Sequence, residues 1–233
     1  MKAREARRAS NRSRDYDALG GGPTLDQVRA FATEYLLRPD GRPDWLKSID
    51  RDPTSVYYRF FYEFARTFCP KTTFEIGTCE GLSAAHLAAG NPEGTVITLD
   101  IKPEAKRLAD ALLIPNLVSI VCHSIEAPKR LKWIPPIDLL FVDGNHAFDD
   151  AYGEYVTYRP LVRDGGLIFF DDISINDDMQ RLWNAVSDPK TVLDGLHYTG
   201  FGVAEKRTHT SKAQPDVELP SGDISSGKVR STL

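Results

Sequence analysis

The stretch TTFEIGTCEGLSAAHLAAG, residues 72–90, decides the fold of this chain. Its first residues are β-branched and aromatic, and they predict a strand over Thr72–Ile76. Gly77 and Gly81 then mark a turn, and a run of small apolar residues predicts a helix over Gly81–Ala89. A strand, a glycine-containing turn and a helix in this order begin a βαβ unit.

The same alternation of strands and helices continues towards the carboxyl terminus. The predicted strands are Thr95–Asp100, Val118–Cys122, Ile137–Asp143 and Leu167–Phe170, followed by a strand-like stretch at His197–Glu205. The predicted helices between them are Pro103–Leu113, Phe148–Val162 and Asp177–Val186. Continuous apolar strands separated by helices indicate a parallel sheet with both faces covered. The expected fold class is therefore α/β, with a doubly wound, mostly parallel, Rossmann-like sheet and helices on both faces.

An N-terminal helical extension is expected before this sheet. Thr24 and Gln27 form a capping-box pattern ahead of an apolar helical stripe. A loop rich in Pro, Asp, Gly and Arg covers 38–53, and a second helix follows at about Thr54–Phe68. Its aromatic residues recur every four positions, which is typical of a helix face packed in a core.

Composition divides the chain into four segments. We expect a basic disordered arm at 1–22, N-terminal helices at 23–70, an α/β domain at 71–206 and a disordered tail at 207–233. Residues 1–20 hold six Lys/Arg against three acids, whereas the whole chain carries a net charge of −4. The remainder is therefore acidic, which argues against nucleic acid as the main ligand.

The overall composition is that of a globular protein with one domain plus tails: 233 residues, 41% hydrophobic and 27% charged. Because the chain lacks an apolar run of membrane-spanning length, we expect no membrane span. No apolar segment follows the basic start, so a secretory signal is not expected either. The three cysteines are far apart and form no CxxC pattern. This favours a reducing cytoplasm over a disulfide framework or a cysteine zinc site.

Acidic residues stand at the carboxyl ends of four of the five main predicted strands. They are Glu75, Asp100, Asp143 and the pair Asp171-Asp172. In open α/β sheets, ligands bind beyond the carboxyl ends of the strands. A random surface would scatter its acids, so this alignment predicts a binding site at that edge of the sheet.

The loop after the first strand does not match the common phosphate-binding motifs. Cys79 occupies the middle glycine position of a dinucleotide fingerprint, and no Gly-Lys-Ser/Thr follows, which excludes a P-loop. Glu75 would repel a phosphate but suits an ammonium group. Asp100, at the end of the next strand, suits the two hydroxyls of a ribose. An ammonium group plus a ribose describes S-adenosylmethionine better than NAD, although Gly77 and Gly81 alone are also compatible with an ordinary tight turn.

A divalent cation site is predicted from the later strands. If the strands that end at Asp143 and Asp171 are neighbours, they lie about 4.8 Å apart, and both carboxylates could bind one cation. Asp172 could add a third ligand. Carboxylate oxygens favour Mg²⁺, Mn²⁺ or Ca²⁺ over zinc. The alternative is that Asp171 and Asp172 only begin a solvated loop.

Three further residues are candidates at the same edge. His146 follows Asp143 by three residues, and a histidine side chain has the acid–base range of a general base. A structural role is the alternative for a lone histidine. Ser124 and Ile125 follow the third strand, where they could line a purine pocket.

Two blocks of this sequence resemble a known family. FEIGTCEGLSAAHLA resembles the first motif of class I S-adenosylmethionine-dependent methyltransferases. IDLLFVDGNHAFDDAYGEYVTYRPLVRDGGLIFFDDI resembles the central block of small-molecule O-methyltransferases, nearest to a bacterial group with antibiotic-sugar and cephalosporin-pathway enzymes. The resemblance covers about residues 55–206, so it implies that 71–206 is an S-adenosylmethionine-binding catalytic domain.

The resemblance also implies roles for individual residues. The methionine part of the cofactor would be surrounded by Glu75, Gly77 and Gly81, with Cys79 and Ser83 nearby, and Asp100 would hold the ribose. Asp143 would serve metal and cofactor together, and Asp171 and Asp172 would complete the metal site. Two positions depart from the catechol-type enzymes: His146 stands where they carry lysine, and Asp171-Asp172 where they carry Asp-Asn. A catechol substrate is therefore not expected.

The expected function is divalent-metal-dependent O-methylation of a small-molecule hydroxyl acceptor, with His146 and Asp143 as catalytic residues. Trp45, Tyr57 and Tyr58 are expected to form part of a lid over the acceptor, and a homo-oligomer is compatible with the sequence. Two other classes stay open. One is a metal-assisted hydrolase or hydroxylase on the same fold, and the other is a non-catalytic cofactor-binding protein.

Overall fold

The structure is a computed structural model that describes residues 22–50, 56–131 and 134–208. Nearly all of the predicted basic arm and of the predicted C-terminal tail lies outside the described residues. So does the start of the second predicted helix. Within the described ranges, no helix is long and apolar enough to cross a membrane.

One mixed sheet of seven strands forms the centre of the molecule. In chain order the strands are β1 (Thr72–Ile76), β2 (Thr95–Asp100), β3 (Leu117–Val121), β4 (Ile137–Val142), β5 (Val162–Phe170), β6 (Lys190–Val192) and β7 (Gly202–Glu205). Their order in the sheet is β3-β2-β1-β4-β5-β7-β6. The first five are parallel, whereas β7 is antiparallel to both β5 and β6. The α/β fold class predicted from the sequence is confirmed.

Helices cover the sheet and precede it. They are α1 (Leu25–Glu34), α2 (Asp44–Ile49), α3 (Val56–Phe68), α4 (Leu82–Gly90), α5 (Pro103–Ala111), α6 (Ala127–Arg130), α7 (Phe148–Tyr158) and α8 (Asp177–Ala185). Short 3₁₀ turns follow α1 and α7, at Tyr35–Leu37 and Arg159–Leu161. Thr24 and Gln27 cap α1 with both bonds of the predicted capping box.

Two apolar cores lie on opposite faces of the sheet. Because side chains alternate along a strand, Leu139 and Phe141 of β4 belong to one core, and Leu140 and Val142 belong to the other. Helices α1, α3 and α4 cover the first face. There the α3 phenylalanines pack against Phe169 of β5. The N-terminal helices are thus part of the main core.

The structure differs from the sequence-based expectation in a few elements. Helix α7 ends at Tyr158 rather than Val162, because Pro160 cannot donate the backbone hydrogen bond that would continue it. Strand β5 begins at Val162, five residues before its predicted start. Helix α2 lies within the predicted loop 38–53, and β6 was not predicted.

The chain order creates a switch point between β1 and β4. From β1 the chain moves through β2 to β3 on one side, and β4 and β5 then extend the sheet on the other side. The loops that leave the carboxyl ends of β1 and β4 therefore diverge and open a crevice, where α/β proteins bind their ligands.

Candidate active site

A cavity of about 800 Å³ lies in this crevice, at the carboxyl ends of the parallel strands. Ten of the twelve site residues predicted from the sequence line it: Gly77, Cys79, Ser83, Asp100, Ser124, Ile125, Asp143, His146, Asp171 and Asp172. The two that do not line it are Glu75 and Gly81. The sheet therefore gathers most of the predicted site into one place.

Glu75 lies behind the cavity wall. Its side chain is fully buried, and its two oxygens accept hydrogen bonds from the hydroxyls of Ser83 and Thr98. Burial raises the pKa of Glu75 to about 7, although both hydrogen bonds act in the opposite direction. Ser83, which donates to Glu75, does line the cavity, and the expected contact of Glu75 with a ligand ammonium stays a prediction.

The turn after β1 is shaped by backbone that approaches very closely. Gly77 has a φ of +99°, and a Cβ there would lie 1.8 Å from the carbonyl oxygen of Asp143. Cys79 also has a positive φ, of 46°, which is uncommon for a residue other than glycine. Gly81 faces away from the cavity, where a Cβ would lie 3.1 Å from that of Ala109 on α5. The turn needs its glycines for packing against β4 and α5.

Asp100 is held at the end of β2 by backbone donors. The Lys102 amide donates to Oδ1 at 2.9 Å, and the Cys79 amide donates to Oδ2 at 3.1 Å. These bonds fix the carboxylate at the cavity wall beside the turn after β1. Each oxygen keeps a second lone pair that can accept a hydrogen bond from a ligand hydroxyl.

A second wall of the cavity is formed by the loop after β3 and by α7. The Ser124 hydroxyl donates to Glu154 Oε1 at 2.8 Å, and the Tyr158 hydroxyl donates to the Ser124 carbonyl at 2.8 Å. Burial raises the pKa of Glu154 to about 7, against the hydrogen bond from Ser124. Ile125 provides the apolar part of this wall.

Acids and histidines meet at the ends of β4 and β5. Asp143, His146 and Asp172 present one ligand atom each within 4.8 Å of one another, and so do Asp171, Asp172 and His197. Asp172 belongs to both groups. The predicted set of three aspartates is therefore arranged as two overlapping groups, each completed by a histidine.

His146 has an unused ring nitrogen. Its Nε2 lies 3.2 Å from Asp172 Oδ2, but outside hydrogen-bonding geometry. This buried atom consequently has no hydrogen-bond partner among the described residues. The Asn176 side chain donates to the carbonyl oxygen of His146 at 3.1 Å, which fixes the loop. A lone pair or N–H that faces a cavity in this way is available to a ligand.

Asp171 forms hydrogen bonds with two ring-bearing side chains, those of Tyr57 and His197. The Tyr57 hydroxyl donates to Oδ2 at 2.5 Å, and Nδ1 of His197 lies 2.8 Å from Oδ1. The two rings contact each other, with centroids 4.5 Å apart. The Thr199 hydroxyl donates in turn to Asp172 Oδ1. Tyr57 comes from α3, so the N-terminal extension contributes a side chain to the site.

The concentration of negative charge shifts the titration of several groups. Burial, followed by the charges of Asp171, Glu75 and Asp172, raises the pKa of Asp143 well above its usual range. Burial and the charges of Asp171 and Asp143 also raise the pKa of Tyr57. Burial lowers the pKa of His197, but the hydrogen bond from its ring to Asp171 and the nearby carboxylate charges outweigh that effect and raise it.

This donor set fits a divalent cation. Carboxylate oxygens converge with imidazole nitrogens, and a cation there would offset the repulsion between the acids, which adds to burial in raising the pKa of Asp143. The unpartnered Nε2 of His146 is directed into the same group. Oxygen-rich sites with one imidazole suit Mg²⁺ or Mn²⁺ better than a soft metal.

Several residues of the site were not predicted. His197, Thr199 and Glu154 have no sequence motif of their own, and their positions depend on β7 and on one face of α7. Trp45, which was expected in a lid with Tyr57 and Tyr58, is not among the residues that line the cavity, whereas both tyrosines are. The lid itself stays a prediction.

Comparison with protein families gives one match. Residues 74–173 match the family described as "Methyltransferase domain". This range runs from β1 to the loop after β5, and therefore contains the turn after β1 and all of the strand-end acids. No curated protein matches the chain.

Solved structures of similar fold include three methyltransferases. PaMTH1 from Podospora anserina, bound to S-adenosylhomocysteine, has a TM-score of 0.57, with 19% identity over 78% of this chain and 96% of its own. An O-methyltransferase from Bacillus cereus in complex with the same compound has a TM-score of 0.52, with 18% identity over 78% and 91%. TomG from Streptomyces achromogenes, an O-methyltransferase of tomaymycin synthesis, has 0.53, with 18% identity over 80% and 92%. At these identities the likeness establishes the fold.

Proposed function

We propose that this protein, whose residues 74–173 match the methyltransferase domain family, transfers a methyl group from S-adenosylmethionine to a hydroxyl of a small molecule. We further propose that a divalent cation, Mg²⁺ or Mn²⁺, takes part. The solved structures of similar fold, bound to S-adenosylmethionine or S-adenosylhomocysteine, support the choice of methyl donor.

One observation carries the proposal: a single cavity holds two different sets of groups. Asp100, Ser124 and Ile125 suit a nucleoside, and the group of Asp143, His146 and Asp172 suits a cation and an acidic hydroxyl. The turn after β1 runs between the two sets. A methyl donor that spans the cavity would therefore have its nucleoside at one end and its sulfonium near the acids.

Different residues of the cavity would bind different parts of S-adenosylmethionine. The Asp100 carboxylate accepts the ribose hydroxyls, which makes charge-assisted hydrogen bonds of the stronger kind. Gly77 lets the turn after β1 pack against the backbone of Asp143, because a Cβ there would lie 1.8 Å from the Asp143 carbonyl oxygen. Ser83 lies at the cavity wall, and its hydroxyl donates a hydrogen bond to Glu75 behind it. The negative charge of Glu75 would then attract the ammonium group from behind Ser83.

Asp143, His146 and Asp172, with Asp171 beside them, are the residues that would hold the cation. When bound there, a divalent cation supplies Lewis acidity that makes an acceptor hydroxyl easier to deprotonate. Tyr57 and His197 keep Asp171 in position through their hydrogen bonds to both of its oxygens.

In the proposed reaction, His146 acts as the base. The acceptor hydroxyl gives its proton to the ring of His146, and the oxygen forms a bond with the methyl carbon. The carbon–sulfur bond breaks in the same step, so that S-adenosylhomocysteine leaves as a neutral thioether. Orientation should account for most of the acceleration, since the attacking oxygen, the carbon and the sulfur must be nearly collinear.

Two alternative functions would explain fewer of the residues in the cavity. A metal-assisted hydrolase or hydroxylase would use the aspartates and histidines, but it would not need Asp100 or the close-packed turn at Gly77. A non-catalytic cofactor-binding protein would not need the second group of acids or the unpartnered nitrogen of His146. Neither is favoured by a feature of the described residues.

A panel of small-molecule hydroxyl compounds tests the proposal. Each is incubated with the enzyme, S-adenosylmethionine and Mg²⁺, and the release of S-adenosylhomocysteine is measured by mass spectrometry. The matched control is the methyl ether of each active compound, whose oxygen has no proton to lose and should give no product. Turnover that is equal with the ether would contradict transfer to that hydroxyl.

The location and assembly of the protein stay predictions. The three cysteines in the described residues form no disulfide, which is compatible with the predicted reducing cytoplasm. A homo-oligomer is testable by measuring the mass in solution.

A further inference from the structure

Glu154 has a buried carboxylate oxygen that nothing in the described residues uses. The residue is 4% exposed and lies on α7 in the wall of the cavity. Oε1 accepts the hydrogen bond from Ser124, but Oε2 is buried without a hydrogen-bond partner. Native proteins leave few buried polar atoms unsatisfied, because each costs roughly 1–3 kcal/mol. An atom of this kind at a cavity wall indicates a ligand group that pairs with it.

Glu154 is one of the residues that line the cavity, and its carboxylate packs against Gly144. A Cβ at Gly144 would lie 2.7 and 2.8 Å from the two carboxylate oxygens, so the absence of a side chain there leaves room for the carboxylate. Ser124 fixes the rotation of the carboxylate by engaging Oε1. Glu154 also shares its wall with Ser124 and Ile125, the pair predicted to line a purine pocket.

Above its pKa of about 7 the Glu154 carboxyl is ionised and its oxygens only accept hydrogen bonds, so the chemistry required of the ligand is a hydrogen-bond donor. Adenine carries its donor in the exocyclic amine at position 6, whereas a purine with oxygen at position 6 presents an acceptor there. A nucleoside placed with its ribose at Asp100 and its base at Ser124 and Ile125 would bring that edge of the ring to the wall formed by α7.

We propose that Oε2 of Glu154 accepts a hydrogen bond from the exocyclic amine of the adenine ring, and that Glu154 thereby selects adenine over 6-oxopurines. This inference rests on the proposed use of S-adenosylmethionine. It assigns the discrimination between bases to one carboxylate on α7. In a 6-oxopurine, the oxygen at position 6 would face Oε2 of Glu154. Neither oxygen would carry a proton, so no hydrogen bond could form between them.

The experiment compares two ligands, S-adenosylhomocysteine and its deaminated analogue S-inosylhomocysteine, by calorimetric titration at about pH 8.5, where the Glu154 carboxylate is ionised. The proteins are the wild type, Glu154→Gln and the control Asp149→Asn. Asp149 lies exposed in the first turn of the same helix, outside the cavity lining, and its substitution makes the same chemical change. Thermal unfolding of each protein verifies that it is folded.

The wild type and Asp149→Asn should bind S-adenosylhomocysteine about 10–100-fold more tightly than S-inosylhomocysteine, the range of a hydrogen bond to a charged group. In Glu154→Gln this preference should disappear or reverse. The amide oxygen would continue to accept from Ser124, so that the amide N–H would face the cavity and suit an oxygen at position 6.

Equal affinity of the wild type for the two ligands would overturn the role of Glu154, and this result needs no variant. The same preference in Glu154→Gln as in the wild type would also overturn it. In both cases tight binding of S-adenosylhomocysteine would leave the proposed function in place. Failure of the wild type to bind S-adenosylhomocysteine at all would instead overturn the proposed function together with this inference.

Discussion

His146 and His197 contact the same carboxylate from two sides. Nε2 of His146 lies 3.2 Å from Asp172 Oδ2, and Nδ1 of His197 lies 3.4 Å from Asp172 Oδ1. Their surroundings differ, because the hydrogen bond from His197 to Asp171 occupies its Nδ1, whereas Nε2 of His146 has no hydrogen-bond partner among the described residues. His197 is therefore suited to positioning Asp171, and His146 to proton transfer.

Replacing His146 by Gln should lower kcat by about 10²–10⁴-fold, the usual contribution of a general base. Binding of S-adenosylhomocysteine should stay nearly unchanged, because the imidazole acts on the acceptor rather than on the nucleoside. Steady-state kinetics with an active acceptor and calorimetry of the same protein check the two statements. A variant that keeps wild-type turnover across pH 6–9 would show that His146 is structural.

Glu75 should make the protein less stable as the pH rises. Its pKa of about 7 in the folded state exceeds the ordinary value of 4.5, so between these values the folded state binds more protons than the unfolded state. Stability is then lost from about pH 4.5 upwards, and the loss is complete above about pH 7. Glu75→Gln removes this contribution.

Urea unfolding of the wild type and of Glu75→Gln from pH 4.5 to pH 8 measures this effect. The free energy of unfolding of the wild type, relative to the variant, should fall by up to about 3 kcal/mol over that range. Other titrating groups, Glu154 among them, cancel in the comparison. A difference that does not vary with pH would contradict the raised pKa of Glu75.

At the scale of elements, the turn after β1 joins the sheet to the cavity. Gly77 combines a positive φ with contact against the backbone of Asp143, and neither can be relieved by the movement of a flexible side chain. Gly195 also has a positive φ, of 75°, but a Cβ there would meet no atom within 4 Å. Substitutions at these two glycines therefore distinguish the free-energy cost of the left-handed conformation from the cost of the contact with Asp143.

Gly195→Ala should therefore destabilise the protein by about 1 kcal/mol, the usual cost of a left-handed conformation for a residue with a Cβ. Gly77→Ala should cost several kcal/mol more and should abolish binding of S-adenosylhomocysteine, because the ends of β1 and β4 must move apart. Urea unfolding and calorimetry of both variants measure this. Equal destabilisation by the two substitutions would mean that the contact with Asp143 is unimportant.

Much of the fold could be read from the sequence because its strands are continuous and apolar. The limits of β1 and β2 agree with their predicted limits, and all the strand-end acids except Glu75 line the cavity. His197 was not identified from the sequence because, in a parallel sheet, ligand-binding residues are sought at the carboxyl ends of strands, and His197 precedes a strand. Strand β7 runs antiparallel, so the segment that precedes it reaches the same edge. The hydrogen bond that Glu154 accepts from Ser124 joins residues 30 positions apart, and no local pattern predicts it.

At the scale of the whole molecule, the N-terminal helices and the sheet form one structure around the site. Helix α3 packs its phenylalanines into the core and extends Tyr57 to Asp171. Burial first, and then repulsion from the neighbouring acids, raise the pKa of Asp143. A bound cation would relieve that repulsion, and this links the metal to both activity and stability.

Removal of divalent cations should abolish turnover, and Mg²⁺ or Mn²⁺ should restore it. The physical reason is the convergence of Asp143, Asp172 and the two histidines on positions where a cation would be held. Activity is measured after treatment with EDTA, with metal content verified by mass spectrometry, and again after each cation is added. Full activity of protein shown to be metal-free would contradict the metal site.

The central claim is that the cavity binds the nucleoside of S-adenosylmethionine with Asp100 at its ribose. Calorimetric titration with S-adenosylhomocysteine tests it most directly, on the wild type, on Asp100→Ala and on the exposed control Asp149→Asn. The wild type and the control should bind with equal affinity, and Asp100→Ala should bind more weakly by about 1–3 kcal/mol, the value of charge-assisted hydrogen bonds to the ribose. No binding to the wild type, or unchanged affinity in Asp100→Ala, would contradict this claim.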